Sequence, residues 1–267
     1  MVTKLVSIVV AGASAILPLC AQHINISSQN TLHLSDSARG ATKRATILSQ
    51  NDDYNVNLLQ EVMKTAELDD VTPGEYYFQD SGLKGKSSYK ERYAVIYSDF
   101  IEAETDDMED YPDNNNDFAR PPSGSLLEVE TDVYVWFIDF HAIWGKSVGL
   151  RRDEATEMAN VYTYFENLDI NGVTTDKIVI AGDWNLGADD DGFDDLKALN
   201  AGDTEVIPNE DTSLTKAGDP SQPYDHFVAA EGDLTDCDLT PLPGTRTAKW
   251  WRDNVSDHRG ITCNFNY

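Results

Sequence analysis

Gly182-Asp183-Trp184-Asn185 sets a carboxylate and an amide two residues apart, directly after the short apolar run Ile178 to Ala181. If Gly182 ends that run as a strand, Asp183 and Asn185 leave its end on the same side, because a strand repeats every two residues. Such a pair can hold a water and a phosphate oxygen together. Ser256-Asp257-His258 adds another carboxylate with an imidazole, and Leu58-Leu59-Gln60-Glu61-Val62 ends a second apolar run on a polar pair. Hydrolysing a phosphodiester needs a cation to neutralise charge, a base to present water in line and an acid for the leaving oxygen. Magnesium takes one or two carboxylates and keeps several waters, so Glu61 and Asp257, with Asn30 nearby, suffice to hold it. Two histidines flanking the phosphate would supply base, acid and electrostatic stabilisation, each with a carboxylate to fix its tautomer. The chemistry these residues suggest is metal-assisted cleavage of a phosphate ester.

Each residue also has an ordinary reading. Glu61 could cap a helix or pair with Lys64, and Asp183 and Asn185 could be turn formers after a strand. His141 could be a satisfied core histidine, Tyr89 a core residue and Asp225 part of a turn after Pro223, while His258 could merely pair with Asp257. His23 and His33 are assigned to surface segments, and His226 to a place beside a reactive acid. Trp250 and Trp251 read as packing residues.

The elements that must position this chemistry follow from pattern. Ile24 to Ser27 alternates as a first strand running into Asn30, and Ala38 to Ser49 reads as a helix. Val56–Val62 and Tyr93–Tyr97 read as buried strands, and Val133 to Phe140 as an aromatic, β-branched strand ending at His141. Residues 151–168 form the clearest helix, with Ala155, Met158, Ala159, Tyr162 and Phe165 at helical spacing. Strands at Ile178–Ala181, Phe227–Ala229 and Gly260–Phe265 complete a mixed α/β pattern. Most of the unusual polar residues sit at strand ends, where a sheet-based enzyme places its site. No linker divides the chain after its first residues, so residues 22–267 read as one domain.

The 267 residues carry 47 acids against 20 bases, a formal charge of −27, with 40% hydrophobic residues. That apolar share is enough for a globular fold, so the acidity belongs to the surface. It counts against a basic-groove nucleic-acid binder, but a nuclease can work under such a field if cations screen it. The acidic stretches Glu102 to Asp117 and Asp189 to Asp195 read as solvated loops, with calcium binding the alternative. Residues 1–21 read as a secretory signal peptide, with Lys4, an apolar run from Leu5 to Leu19, and a cleavage site before Gln22. Its removal leaves Cys237 and Cys263 as an even pair in an oxidising compartment, which reads as a disulfide, with two unpaired buried thiols the alternative.

In chain order, the quoted motifs are Gln29-Asn30, Leu59-Gln60-Glu61-Val62, Ser88-Tyr89-Lys90-Glu91-Arg92-Tyr93, Phe140-His141, Gly182-Asp183-Trp184-Asn185, Tyr224-Asp225-His226 and Ser256-Asp257-His258. The set resembles the endonuclease/exonuclease/phosphatase superfamily, and the Tyr-Lys-Glu-Arg-Tyr run resembles its deoxyribonuclease I-like branch. Each motif is weak alone; their shared order, from Ile24 to Phe265, carries the resemblance. It implies a four-layer α/β/β/α sandwich of two mostly antiparallel sheets, with the site at one end of them. It implies that Glu61 is the principal ligand of Mg2+ (or Mn2+), with Asn30 and Asp257 completing the metal environment, and leaves room for structural Ca2+. Asp183 would orient or deprotonate water and Asn185 would hold a phosphate oxygen. His141, paired with Glu91, would be the general acid; His258, paired with Asp225, would be base or stabiliser. Which histidine is acid and which is base stays open. Tyr89 would approach the nucleic-acid backbone, and Lys146, just beyond Trp144-Gly145, is the best placed of the basic residues Lys84, Lys86, Lys90, Arg92, Lys146, Arg151 and Arg152. Two departures bear on duplex grip: Met63 stands where that branch has an arginine, and its small disulfide loop after the Asp-x-Asn motif has no cysteine counterpart. The expected activity is a secreted, monomeric, divalent-metal-dependent endonuclease acting on DNA with little sequence preference, without membrane insertion or a stable protein partner. The rivals are a phosphatase or sphingomyelinase-like phosphodiesterase, and a catalytically idle calcium-binding surface protein.

Overall fold

Residues 23–35 and 40–267 are described by a computed structural model of the chain. The expected leader, residues 1–21, lies outside the described residues. In order come β1 (His23–Leu34), α1 (Gly40–Asn51), β2 (Val56–Val62), β3 (Tyr76–Asp80), β4 (Arg92–Ser98), β5 (Glu102–Ala103), β6 (Glu109–Asp110), β7 (Ser123–Glu130) and β8 (Val133–His141). Then follow α2 (Val148–Asn167), β9 (Ile178–Asp183), α3 (Asp194–Lys197), β10 (Thr204–Ile207), β11 (Asp225–Ala230), β12 (Leu234–Leu239), α4 (Ala248–Asn254) and β13 (Ile261–Asn266).

One sheet runs β12-β13-β1-β2-β4-β3, the other β10-β11-β9-β8-β7-β5 with β6 also against β7. In each sheet one neighbouring pair is parallel, β1 with β2 and β8 with β9, and the remaining pairs are antiparallel. Strand alternation sends Val56 and Leu58 of β2 into the space between the sheets, where they join Val95, Phe137, Val179, Phe227 and Phe265. Leu59 and Val62 point the other way, toward Ile47 of α1 and Trp251 of α4. Trp136, Ile138 and Phe140 of β8 likewise meet Ala155, Met158, Tyr162 and Phe165 of α2, beside Leu196 of α3. Both faces of both sheets are thus covered, and β2 and β9 are buried along their whole lengths. This is the expected four-layer α/β/β/α sandwich.

Several local expectations change. Asp225 is not in a turn: it opens β11, directly opposite Asp183 in register. The strand at 178 runs on through Gly182 to Asp183. Gly182, at φ 147°, is where β9 crowds β8; a Cβ there would fall 1.7 Å from the Phe140 carbonyl oxygen. The stretch 102–117 is not wholly a solvated loop, because it pairs as β5 and β6 against β7 and buries Met108. Cys237 of β12 and Cys263 of β13 form a disulfide across an edge pair, 26 residues apart in sequence. By loop-closure entropy, replacing both with Ser should cost about 3 kcal/mol of unfolding free energy, measurable by urea titration. An unchanged midpoint would contradict that value.

Candidate active site

The two parallel pairs end at the same rim of the sandwich, and each of their four strands delivers one site residue. Asn30 lies on β1, Glu61 on β2, His141 at the end of β8 and Asp183 at the end of β9. On the first sheet the ladder breaks register between Asn30 and Leu34 and between Leu59 and Val62. The bulge is built from left-handed backbone at Leu32 (φ 47°), His33 (φ 59°) and Glu61 (φ 60°). Such conformations cost non-glycine residues roughly 1–2 kcal/mol each and persist where the surroundings enforce them. Here the Asn30 side chain accepts from the Leu32 amide at 2.9 Å, and Thr31 Oγ1 donates to the Gln60 carbonyl at 2.7 Å. The buried ammonium of Lys43 on α1 donates to the Thr31 carbonyl at 2.6 Å and to the Leu32 carbonyl. Burial lowers the Lys43 pKa to about 8, against the opposing pull of Glu61 and Asp257.

The result is a carboxylate held with its two oxygens assigned. Glu61 Oε1 accepts from Asn30 Nδ2 at 3.2 Å, while Oε2 accepts from the Tyr89 hydroxyl and the His33 amide, both at 3.1 Å. Tyr89 is half-buried, and burial, with Glu61 and Glu91 alongside, pushes its hydroxyl pKa up, so it stays a donor.

Two carboxylate–imidazole pairs face each other beside this. His141 Nδ1 lies 2.6 Å from Glu91 Oε1, and His258 Nδ1 lies 2.6 Å from Asp225 Oδ2. Their outer nitrogens converge on one atom: Asp183 Oδ2 is 3.6 Å from His141 Nε2 and 3.5 Å from His258 Nε2. The same oxygen accepts from Asn30 Nδ2 at 3.0 Å, and Oδ1 accepts from the Asn185 amide at 3.0 Å. Burial opposes charge on both rings, yet the Glu91 carboxylate holds His141 above its ordinary value, and Asp225 and Asp183 raise His258 to about 10. For Glu91, burial is outweighed by His141 and Arg120, and the carboxyl sits below its usual range. The Asp183 side chain therefore stands between two histidines, each backed by a buried acidic side chain, with His258 cationic at neutral pH and His141 shifted in the same direction.

These groups sit in one cleft of about 1110 Å³. Its lining includes Asn30, Glu61, Tyr89, His141, Asp183, Asn185, Asp257 and His258; Glu91 and Asp225 stand behind their histidines, fully buried. Asn185 and Asp183 share the cleft through a left-handed turn at Asn185 (φ 51°), which aims its amide at the Ala142 carbonyl, not through strand alternation. Lys146 is exposed, two residues beyond Trp144 and outside the residues that line the cleft. Gly145 (φ 148°) and the Ser147 cap start α2 at once, so Leu150 forms that wall. Among the other basic residues, Lys84 pairs with Asp110, Arg152 with Asp190, and Arg151 bonds the Asn185 carbonyl. Lys86 does line the cleft, 3.1 Å from Asp113.

Three residues went unread in the sequence. His33 is exposed as expected, but on the cleft wall, with Nε2 3.3 Å from Glu61 Oε2. Arg120 donates to the His141 and Ala142 carbonyls and lies 3.5 Å from Glu91, locking that pair in place. Asp139 faces Gln60 between the sheets at 2.7 Å, and burial raises its pKa well above the carboxylate range. A carboxylate two residues before His141 on an otherwise apolar strand was its signal.

For a divalent cation the donor chemistry fits. Glu61 and Asp257 offer carboxylate oxygens on one wall beside the Asn30 amide, and Glu61 is met by the neutral donors Asn30 Nδ2 and the Tyr89 hydroxyl and by the half-exposed His33 ring. Among the described residues, the groups with three close His or carboxylate ligands are Glu61–Glu91–His141 and Asp183–Asp225–His258, both in this centre. The acidic stretches are otherwise engaged: Asp190 holds Arg152 and the Gly192 amide, and Asp113 holds Lys86 and the Asp117 and Phe118 amides.

No protein-family model matches the chain. A curated deoxyribonuclease from Thioalkalivibrio sp. (strain K90mix) is 23% identical over 224 residues, covering 76% of this chain and 60% of its own length. The chain thus spans less than two thirds of that relative. Among solved structures, an endonuclease/exonuclease/phosphatase family protein from Bacteroides thetaiotaomicron superposes with a TM-score of 0.64 at 15% identity, covering 92% and 98% of the two chains. D. rerio TDP2 complexed with single strand DNA product gives 0.62 at 16% identity, over 92% and 99%. The human Nocturnin catalytic domain with bound sulfate anion gives 0.62 at 12% identity, over 91% and 94%. The chain has the fold of these proteins.

Proposed function

We propose that this chain is a divalent-metal-dependent phosphodiesterase that cuts DNA as an endonuclease with little sequence preference. The observation that carries the reading is Asp183 Oδ2 standing within 3.6 Å of two histidine Nε2 atoms, each histidine backed by a carboxylate. Support comes from the relative named deoxyribonuclease and from the TDP2 fold neighbour solved with a DNA strand.

A cation, Mg2+ or Mn2+, would be held by Glu61, Asn30 and Asp257 and would neutralise phosphate charge. Asp183 takes the part of base, because it alone among the converging groups is an acceptor. It orients a water and draws its proton toward Oδ2. His258, cationic, donates to the phosphate oxygens alongside His141, which favours the stabilising over the basic role for His258. His141 delivers its Nε2 proton to the leaving oxygen, and Glu91 steadies the charge on its other nitrogen. The Asn185 amide holds a further phosphate oxygen. The cleft is complete within one chain, consistent with a monomer. Secretion, read from the leader, remains part of this proposal.

The apolar wall formed by Ile143, Trp144 and Leu150 widens the range of substrates the cleft could accept, since Trp144 is 68% exposed. Its ring meets Tyr224, which stacks on His258. A nucleobase or an acyl chain could lie there. The test is a substrate panel with Mg2+, Mn2+ and EDTA: plasmid, single-stranded oligonucleotide, inositol phosphate and sphingomyelin vesicles. Nucleic acid should be cut, and Trp144→Ala should raise the KM for the oligonucleotide about fivefold or more, as loss of base stacking does. Sphingomyelin hydrolysis with intact plasmid would overturn the DNA assignment.

A further inference from the structure

We propose that His33 is a nitrogen ligand of the cation held at Glu61, so that the site prefers nitrogen-accepting divalent ions such as Mn2+ or Co2+ over Mg2+. The inference rests on the functional reading in one respect, that Glu61 binds a cation.

Three observations carry it. His33 Nε2 stands 3.3 Å from Glu61 Oε2. Two ligands each about 2.1 Å from one ion, at right angles, lie about 3 Å apart, so both atoms can reach a common ion with little movement. Second, the ring is placed and not loose: the His33 amide bonds the same carboxylate oxygen, and Tyr89 packs at 5.4 Å between ring centroids while also donating to Glu61. Third, the backbone beneath is fixed before any ligand arrives, by Asn30 and by Lys43 gripping the Thr31 and Leu32 carbonyls. The His33 side chain is 54% exposed, so its nitrogen is open to an ion entering the cleft. An ordinary surface ion pair would need neither the shared carboxylate oxygen nor a rigid bulge. The donor set then mixes imidazole nitrogen with carboxylate oxygen, which suits Mn2+ and Co2+; Mg2+ favours oxygen throughout.

The experiment measures binding without turnover. Calorimetric titration with Mn2+ and with Mg2+ is run on wild type, His33→Ala, His33→Gln and Glu61→Gln, and electron spin-echo modulation reads nitrogen coupling on bound Mn2+. His33→Ala should weaken Mn2+ at least tenfold and abolish the nitrogen signal, with Mg2+ affinity changed less than twofold. His33→Gln, which offers an oxygen, should also lose the signal while keeping Mg2+ binding intact, and it serves should the alanine variant fold poorly. Nitrogen coupling that survives in both variants would overturn the proposal, as would a raised substrate KM with unchanged Mn2+ affinity, which would make the imidazole a phosphate contact. Wild-type metal binding in Glu61→Gln would instead sink the metal site on which the functional reading stands.

Discussion

Asp183→Asn is expected to lower the rate of phosphodiester cleavage by about a thousandfold or more, with the fold retained. The variant removes the acceptor on which three donors converge, Asn30 Nδ2, His141 Nε2 and His258 Nε2. A general base contributes about 10²- to 10⁴-fold, and here the same change also removes the oxygen toward which both histidine rings point. Asn can keep the Asn185 amide bond through its oxygen, but its NH2 then faces Asn30 Nδ2 and repels it. Single-turnover cleavage alongside thermal unfolding separates the two effects. A drop of less than tenfold in a well-folded variant would show that Asp183 is not the base.

His258→Ala should cost about 10²- to 10⁴-fold in the same assay. The pH dependence of stability tests its partner. Because Asp225 and Asp183, working against burial, raise His258 to about 10 in the folded protein from an ordinary 6.5, folding favours the charged ring. That contribution is fully present below about pH 6.5 and is lost as pH rises through about 10. Asp225→Asn removes most of it. The gap in unfolding free energy between wild type and Asp225→Asn should therefore be widest below pH 6.5 and close toward pH 10. A gap that stays constant across this range would place the 2.6 Å contact outside the energetics of folding.

Much of this centre could be read in the chain because its residues sit at the ends of strongly patterned strands. Glu61 and Asp183 each follow an apolar run, and His141 closes an aromatic one. The pairing of Glu91 with His141 and Asp225 with His258 spans 50 and 33 residues, so it rested on resemblance until the two sheets brought the partners to 2.6 Å. His33 was invisible for a different reason. Its place depends on a left-handed bulge whose carbonyls are held by Lys43 of α1, and nothing local to Leu32-His33 signals that. Lys146, read from its nearness to His141 in sequence, lies exposed between Gly145 and the Ser147 helix cap, just beyond the residues that line the cleft. Edge strands such as β12, half polar and partly exposed, gave no alternation clear enough to find.

Nicking of supercoiled plasmid by the purified protein with Mg2+ or Mn2+, against EDTA and against Asp183→Asn, tests the proposed activity most directly. Metal-dependent conversion to open-circular and then linear DNA is expected, absent with EDTA and absent in the variant. Intact plasmid with a folded, metal-binding protein, or nicking that Asp183→Asn leaves unchanged, would contradict the assignment.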